Sequence, residues 1–327
     1  MRWVTFEACV HPPVSPPERL GNAPARSPTV FASGRLGGGA AVGRARRANG
    51  GGGRYAGGAV LANVWRTNDD EYRLHLLNRG TRIALAGALL FCSGLALAVE
   101  CGPKTAGGTS FTVCRVNLTA ERLELFWRDD AGRPYRQFSA LREALAAKGR
   151  QLVFAVNAGM YQPDFSPVGL YVAEGRQFVP LNRHVGSGNF SQQPNGVFLI
   201  EGQSARLMTT EDYANEHPLP LLATQSGPML VHEGEVTTSA VMNPSSTWRK
   251  IRNGVCAPSP DAVVFAISES PVTFYEFAGL FRDALHCREA LYLDGTISSL
   301  YAPSLHREDS GSNMGPILGV AVSVTSR

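Results

Sequence analysis

The sequence predicts an α+β fold, with mostly antiparallel or mixed β-sheets and a few packed helices in a single domain. Three observations carry that reading. Six short runs rich in β-branched and aromatic residues are each bounded by Gly, Pro, Asn or Ser. Three Glu-Gly pairs sit between apolar runs, and two segments show clear helical periodicity.

The strand runs are "QLVFAV" at 151–156, "VGLYV" at 168–172, "GVFLI" at 196–200, "PMLVH" at 228–232, "AVVFAI" at 262–267 and "ILGVAVSV" at 317–324. In "LYVAEGRQFVPL", "VFLIEGQSARLM" and "PMLVHEGEVTT" a glycine supplies the positive φ of a tight hairpin, so turns are expected at Gly175, Gly202 and Gly234. The unequal spacing of these turns, 27 and then 32 residues, argues against a repeat architecture. "FSALREALAAKGR" at 138–150 predicts a helix ending before Gly149. "TFYEFAGLFRDALH" at 273–286 opens on the capping-box pair Thr273 and Glu276 and carries the apolar stripe Phe274, Phe277, Phe281 and Leu285. This second helix feeds "ALYL" and then Asp294, so the stretch "ALYLDGTISSLYAP" is expected to hold the C-terminal end of a buried strand.

Charge divides the chain unevenly. Residues 1–82 hold twelve arginines, no lysine and five acids, whereas the other 245 residues hold 19 basic and 22 acidic side chains. The basicity belongs to the N-terminal piece, and nucleic-acid binding is not expected. Residues 1–72, rich in Gly, Pro, Ala and Arg, read as a disordered extension or as translation from an early start codon. Residues 73–98 read as a signal peptide: Arg73, Arg79 and Arg82 precede the apolar stretch Ile83 to Leu97, and Ala96-Leu97-Ala98 fits the cleavage rule. The expectation is a periplasmic or secreted domain over 99–327, with no stable membrane span after cleavage. It keeps Cys101, Cys114, Cys256 and Cys287, and the pairs Cys101–Cys114 and Cys256–Cys287 are favoured because each closes a modest loop.

Two polar residues stand at the ends of apolar strands. Asp294 is either a turn-capping carboxylate or a catalytic one presented at a sheet edge. Asn157, after "LVFAV", either bonds its own backbone or shares a pocket with Asp294. Within "WRKIRNGV", Arg252 lies between Ile251 and Asn253-Gly254 and is expected to point inward, where its planar fork matches a phosphate or carboxylate. No nucleophile elbow, dinucleotide fingerprint, P-loop or HExxH stretch is present, and the five histidines after residue 98 lack ligand spacing. Neither a cofactor nor a metal is expected.

Taken in order, "FAVNAGMY", "SPVGLYVAEGRQ", "PNGVFLIEGQSARLM", "ATQSGPMLVHEGEV", "RKIRNGV", "VVFAISES" and "FAGLFRDALHCREALYLDGTISSLY" resemble the phosphodiester glycosidase family over about residues 150–324. The family's Asn-Gly-Gly-Phe-Phe motif falls on Asn157 to Tyr161, its Gly-Gly-Pro segment on Ser226-Gly227-Pro228, its arginine motif on Arg252-Asn253-Gly254, and its Leu-Asp-Gly-Gly-Gly-Ser-Ser motif on Leu293 to Ser299. Thr296 and Ile297 stand where the family keeps glycine, and Asn253 where it keeps threonine. The resemblance implies cleavage of a sugar's anomeric bond to a phosphodiester, with a carbohydrate or glycosyl-phosphate substrate. Asp294 would be the carboxylate beside the oxocarbenium-like centre, Arg252 the phosphate clamp, and Asn157 a ligand to a sugar hydroxyl or phosphate oxygen. It also implies substrate-binding positions at Gly159, Ser226, Gly227, Gly295, Thr296, Ser298 and Ser299. Asp164 and Glu269 are candidates for a second carboxylate. Two alternatives stay open, an enzyme acting on another anionic glycan and a non-catalytic cell-envelope or exopolysaccharide glycan binder.

Overall fold

The computed structural model describes residues 99–294 and 297–324, all within one of the two units into which the chain divides, Leu74–Arg327. The expected extension (1–72), the expected signal peptide (73–98), Gly295 and Thr296 lie outside the described residues.

In chain order the first strands are β1 (Glu100–Ala106), β2 (Thr109–Asn117), β3 (Leu123–Phe126), β4 (Arg150–Asn157), β5 (Tyr171–Ala173), β6 (Arg176–Val179), β7 (Gly196–Glu201), β8 (Ser204–Thr209) and β9 (Leu222–Ser226). They are followed by β10 (Met229–His232), β11 (Glu235–Val236), β12 (Asn253–Ser259), β13 (Ala262–Ser268), β14 (Ala290–Asp294), β15 (Leu300–Ala302), β16 (Arg307–Glu308) and β17 (Ile317–Ser323). The α-helices are α1 (Phe138–Ala147), α2 (Thr210–Glu216) and α3 (Phe274–Gly279). The first sheet runs β1-β2-β13-β12-β14-β10-β11, the second β16-β15-β4-β17-β3 and the third β6-β5-β9-β7-β8. The pairings are antiparallel, as the hairpin signals predict.

Two of the Glu-Gly pairs form the whole of a two-residue loop. Ala173 pairs with Arg176 and His232 with Glu235, and Glu174, Gly175, Glu233 and Gly234 all have positive φ, the mirror-image turn that matches strand twist. In the third, Glu201 stays in its strand opposite Ser204 and the loop is Gly202-Gln203. The β1–β2 hairpin escapes a reading by hydrophobic pattern because "ECGPKTA" is polar and mostly exposed.

The second helix keeps its capping box, but regular α-helix stops at Gly279 and a π-turn follows over Leu280–Ala284. Phe274, Phe277 and Phe281 are buried as a core stripe. Both expected disulfides are present: Cys101–Cys114 staples β1 to β2, and Cys256–Cys287 ties the chain after that turn to β12. One core spans the three sheets. Phe265 of the first sheet lies 5.2 Å from Phe154 of the second and 6.3 Å from Phe198 of the third, ring centre to ring centre. Burying rings of this size contributes about 1.5–3 kcal/mol each, which makes the trio a main tie between sheets.

Candidate functional site

β4 ends at Asn157 in the second sheet and β14 ends at Asp294 in the first. The chain after Asp294 crosses between these sheets, because it re-enters structure as β15, where Leu300 pairs with Val156 of β4. Two strand ends and one crossover therefore meet at a single place, as the strand-end pattern anticipates.

Asn253, at the start of β12, joins them. It faces Asp294 across the ladder, and its Nδ2 donates to the Asn157 carbonyl at 3.1 Å and to Asn157 Oδ1 at 3.0 Å. Its Oδ1 accepts from Asn157 Nδ2 at 3.3 Å and from the Asp294 backbone N–H at 3.2 Å. Asn157 Oδ1 also accepts the Ser299 backbone N–H at 2.9 Å, and Ser298 Oγ donates to the Asp294 carbonyl at 2.9 Å. Asn157 and Asn253 are buried, so this amide pair bolts the two sheets together. Asn157 is thus a positioning residue, with both ends of its side-chain amide turned to protein groups.

β14 carries a bulge immediately before its last residue. Asn253 pairs with Asp294 and Gly254 with Tyr292, which leaves Leu293 as the extra residue. Ser226 Oγ donates to the Leu293 carbonyl at 2.8 Å, and the Pro228 carbonyl accepts the Tyr292 N–H at 3.1 Å. Ser226 and Gly227 are buried, and a Cβ on Gly227 would come 2.7 Å from both Asn195 Cβ and the Phe190 carbonyl. Gly159 is buried at φ +137°, against Thr224 and Gln225. Ser226 braces the bulge, whereas Gly159 and Gly227 are buried where a side chain would meet neighbouring protein groups. Ser298 is half-buried and Asp294 is 6% exposed. Ile297, which replaces a family glycine, packs beside α1 and β15 and anchors the crossover.

Arg252 does point inward, and further than a phosphate clamp would. It is fully buried. Its Cζ lies 3.7 Å from the Phe274 ring centre, 5.0 Å from Trp248 and 5.5 Å from Tyr292. Nε donates to the Val272 carbonyl at 2.9 Å and Nη1 to Tyr292 Oη at 3.0 Å. Burial pushes the guanidinium pKa down. Burial likewise raises the Tyr292 phenol, with Arg252 opposing and Asp294 adding to the rise. The guanidinium is thus enclosed by rings, carbonyls and a phenol. Arg252 braces Tyr292, two residues before Asp294 on β14.

Tyr161 flanks the site. Burial and the Asp294 charge both raise its pKa, its hydroxyl donates to the Asn313 carbonyl at 2.7 Å, and its ring stacks on Phe165 at 5.5 Å. Asp164 lies in an exposed turn where its Oδ1 accepts from Ser166, and Glu269 is paired with Arg307 at 2.6 Å. Among the described residues no group of three His, Cys, Asp or Glu side chains is arranged to hold a metal, and no helix is long and apolar enough to cross a membrane. The sequence reading missed Asn253 as the node and Tyr292 as the link to Arg252. The second was accessible, since Tyr292 stands two residues before Asp294 on the same strand.

A family model described as phosphodiester glycosidase matches residues 150–320. "Uncharacterized protein YigE" of Escherichia coli (strain K12) is 35% identical over 186 residues, covering 57% of this chain and 72% of the relative. Among solved structures, the pro-peptide-inhibited catalytic domain of zebrafish N-acetylglucosamine-1-phosphodiester alpha-N-acetylglucosaminidase aligns with TM-score 0.49 and 11% identity, over 68% of this chain and 81% of that one. A protein of Burkholderia pseudomallei K96243 aligns with TM-score 0.43 and 12% identity, over 65% and 74%.

Proposed function

Because the chain belongs to the phosphodiester glycosidase family, we propose that it is an exported hydrolase that releases a sugar from a glycosyl phosphodiester. The anomeric C–O bond breaks, its oxygen leaves with the phosphate as a phosphomonoester, and a water oxygen bonds to the anomeric carbon. Asp294 is the carboxylate that stabilises the developing oxocarbenium charge or bonds to it. Phosphate is a good leaving group, so a strong general acid is not required.

One observation supports this reading most. The backbone of Asp294, at the end of a buried strand, is held by a bulge, an amide bolt and a crossover, all at one junction of two sheets. Such over-determined placement is what a reaction centre needs, since small misplacements of a reacting group cost large factors in rate. Asn157, Asn253, Ser226 and Arg252 act as positioning residues around it. Export to the periplasm or exterior is supported by the two disulfides, which persist in oxidising compartments.

The test is Asp294→Asn, assayed on a chromogenic glycosyl phosphodiester with folding checked by near-ultraviolet circular dichroism. Turnover is expected to fall about 10³-fold or more with the fold intact. Wild-type turnover in the folded variant would sink the assignment.

A further inference from the structure

We propose that a second site, a cleft on the outer edge of the second sheet, binds a neutral oligosaccharide built of gluco-configured pyranoses. The cleft has a volume of about 910 Å³ and is lined by β3 and by residues of the β5–β6 hairpin. That size is near the top of the roughly 300–1,000 Å³ range of small-molecule sites, so it has room for several linked rings rather than one.

The lining supplies the chemistry. Tyr171, itself buried, meets Trp127 edge-on at 5.8 Å and Phe178 edge-on at 6.0 Å, which links three rings into a strip of which only Trp127 and Phe178 are part-exposed. Phe178 is 38% exposed, so the strip is open to solvent at one end. The exposed Arg128 bridges two of these rings, with its Cζ 4.4 Å from the Trp127 ring centre and 5.9 Å from Phe178. Trp127 Nε1 is buried with no hydrogen-bond partner among the described residues, an unsatisfied donor of the kind that costs about 1–3 kcal/mol.

Pyranoses with equatorial hydroxyls present flat faces of axial C–H groups, which stack on aromatic planes. Their hydroxyls form a polar edge that a guanidinium fork can reach in pairs. Of the other charges of the cleft, Glu124 bonds Arg150, Asp130 bonds Lys148 at 2.8 Å and Asp129 bonds Arg133 at 2.8 Å, while Arg122, Glu121 and Glu174 leave both signs along its wall. Little net field remains to favour a polyanion, hence the neutral ligand. The choice of a saccharide rests on the glycosidase reading above, but the site does not use Asp294. Tyr135 lines the cleft and the next residue, Arg136, lies over Phe165, whose ring stacks on Tyr161 beside Asp294.

The experiment is isothermal titration of the full chain with cellohexaose and with N-acetylchitohexaose, alongside Trp fluorescence. At least one hexasaccharide is expected to bind, with Phe178→Ala and Arg128→Ala each weakening it about tenfold and Asp294→Asn leaving it unchanged. No binding of either sugar by folded wild type, or undiminished binding in the Phe178→Ala and Arg128→Ala double variant, overturns the proposal. Loss of binding in Asp294→Asn would place the sugar at the other site and overturn it as well. Hexasaccharide binding by a protein that turns over no glycosyl phosphodiester would leave the cleft standing and remove the activity instead.

Discussion

Asn253→Asp isolates the amide bolt, because it changes one nitrogen to oxygen and leaves shape almost untouched. The substitution removes both donors, to the Asn157 carbonyl at 3.1 Å and to Asn157 Oδ1 at 3.0 Å, and sets a buried carboxylate oxygen against those two acceptors. Two lost hydrogen bonds account for about 1–3 kcal/mol, and the uncompensated buried charge brings the total to about 3–5 kcal/mol at pH 7. Protonation returns one O–H donor, so the new carboxyl has a raised pKa in the folded state. Its stabilising contribution is then complete below the unfolded value of about 3.9 and is lost as pH rises through the folded value. Asn253→Ala strands Asn157 Nδ2 and the Asp294 N–H and loses a similar amount at either pH. Urea titrations of both variants at pH 7 and pH 4, disulfides oxidised, give the comparison. A loss below about 1 kcal/mol at pH 7, or an equal loss for Asn253→Asp at both pH values, would refute the bolt.

Phe265→Ala removes the ring that touches both other sheets and is expected to cost about 3–5 kcal/mol in the same titration. Arg252→Lys keeps the charge but loses the planar fork, whereas Arg252→Met keeps the bulk and loses the charge. Both should lower turnover by moving Tyr292, and a KM rise confined to Arg252→Met would show that the buried charge also helps bind an anionic substrate. Burial raises the Glu276 pKa, but the Thr273 N–H and Arg249 outweigh it and leave the group depressed. Its contribution is present above the unfolded value of about 4.3 and is lost as pH falls through the folded one. Glu276→Gln should accordingly flatten the acid limb of a Tm-against-pH curve.

Much of this fold was legible because its signals are local. Period-two strands, Glu-Gly loops and the Thr273–Glu276 box each involve a handful of neighbouring residues whose backbone conformation is set by their own chemistry. The strand ends at Asn157 and Asp294 were legible for the same reason. What sequence could not give is how side chains are used once distant strands meet. Asn157 and Asn253 are 96 positions apart, and nothing in either neighbourhood says that their amides pair. Arg252 reads as a ligand-binding cation because exposed and buried arginines look alike in a sequence. Its cage is drawn from Trp248, Phe274 and Tyr292, two of which lie outside its own segment.

The cage bears directly on how Asp294 is held. Enclosing a guanidinium without water costs several kcal/mol, and the fold offsets that with contacts that are all neutral: three ring faces, two carbonyls and a phenol. Neutral partners orient the cation without cancelling its charge. Its uncancelled charge leaves a positive field, and Tyr292, hydrogen-bonded to Arg252, stands two residues before Asp294 along β14. In a buried setting such a field is screened far less by salt than one at the surface. A carboxylate at the end of a buried strand and a phosphodiester approaching it are both anions, and their meeting would be unfavourable without nearby positive charge. On the proposed reading Arg252 would supply that charge from within the protein, which the KM comparison of Arg252→Met with Arg252→Lys tests.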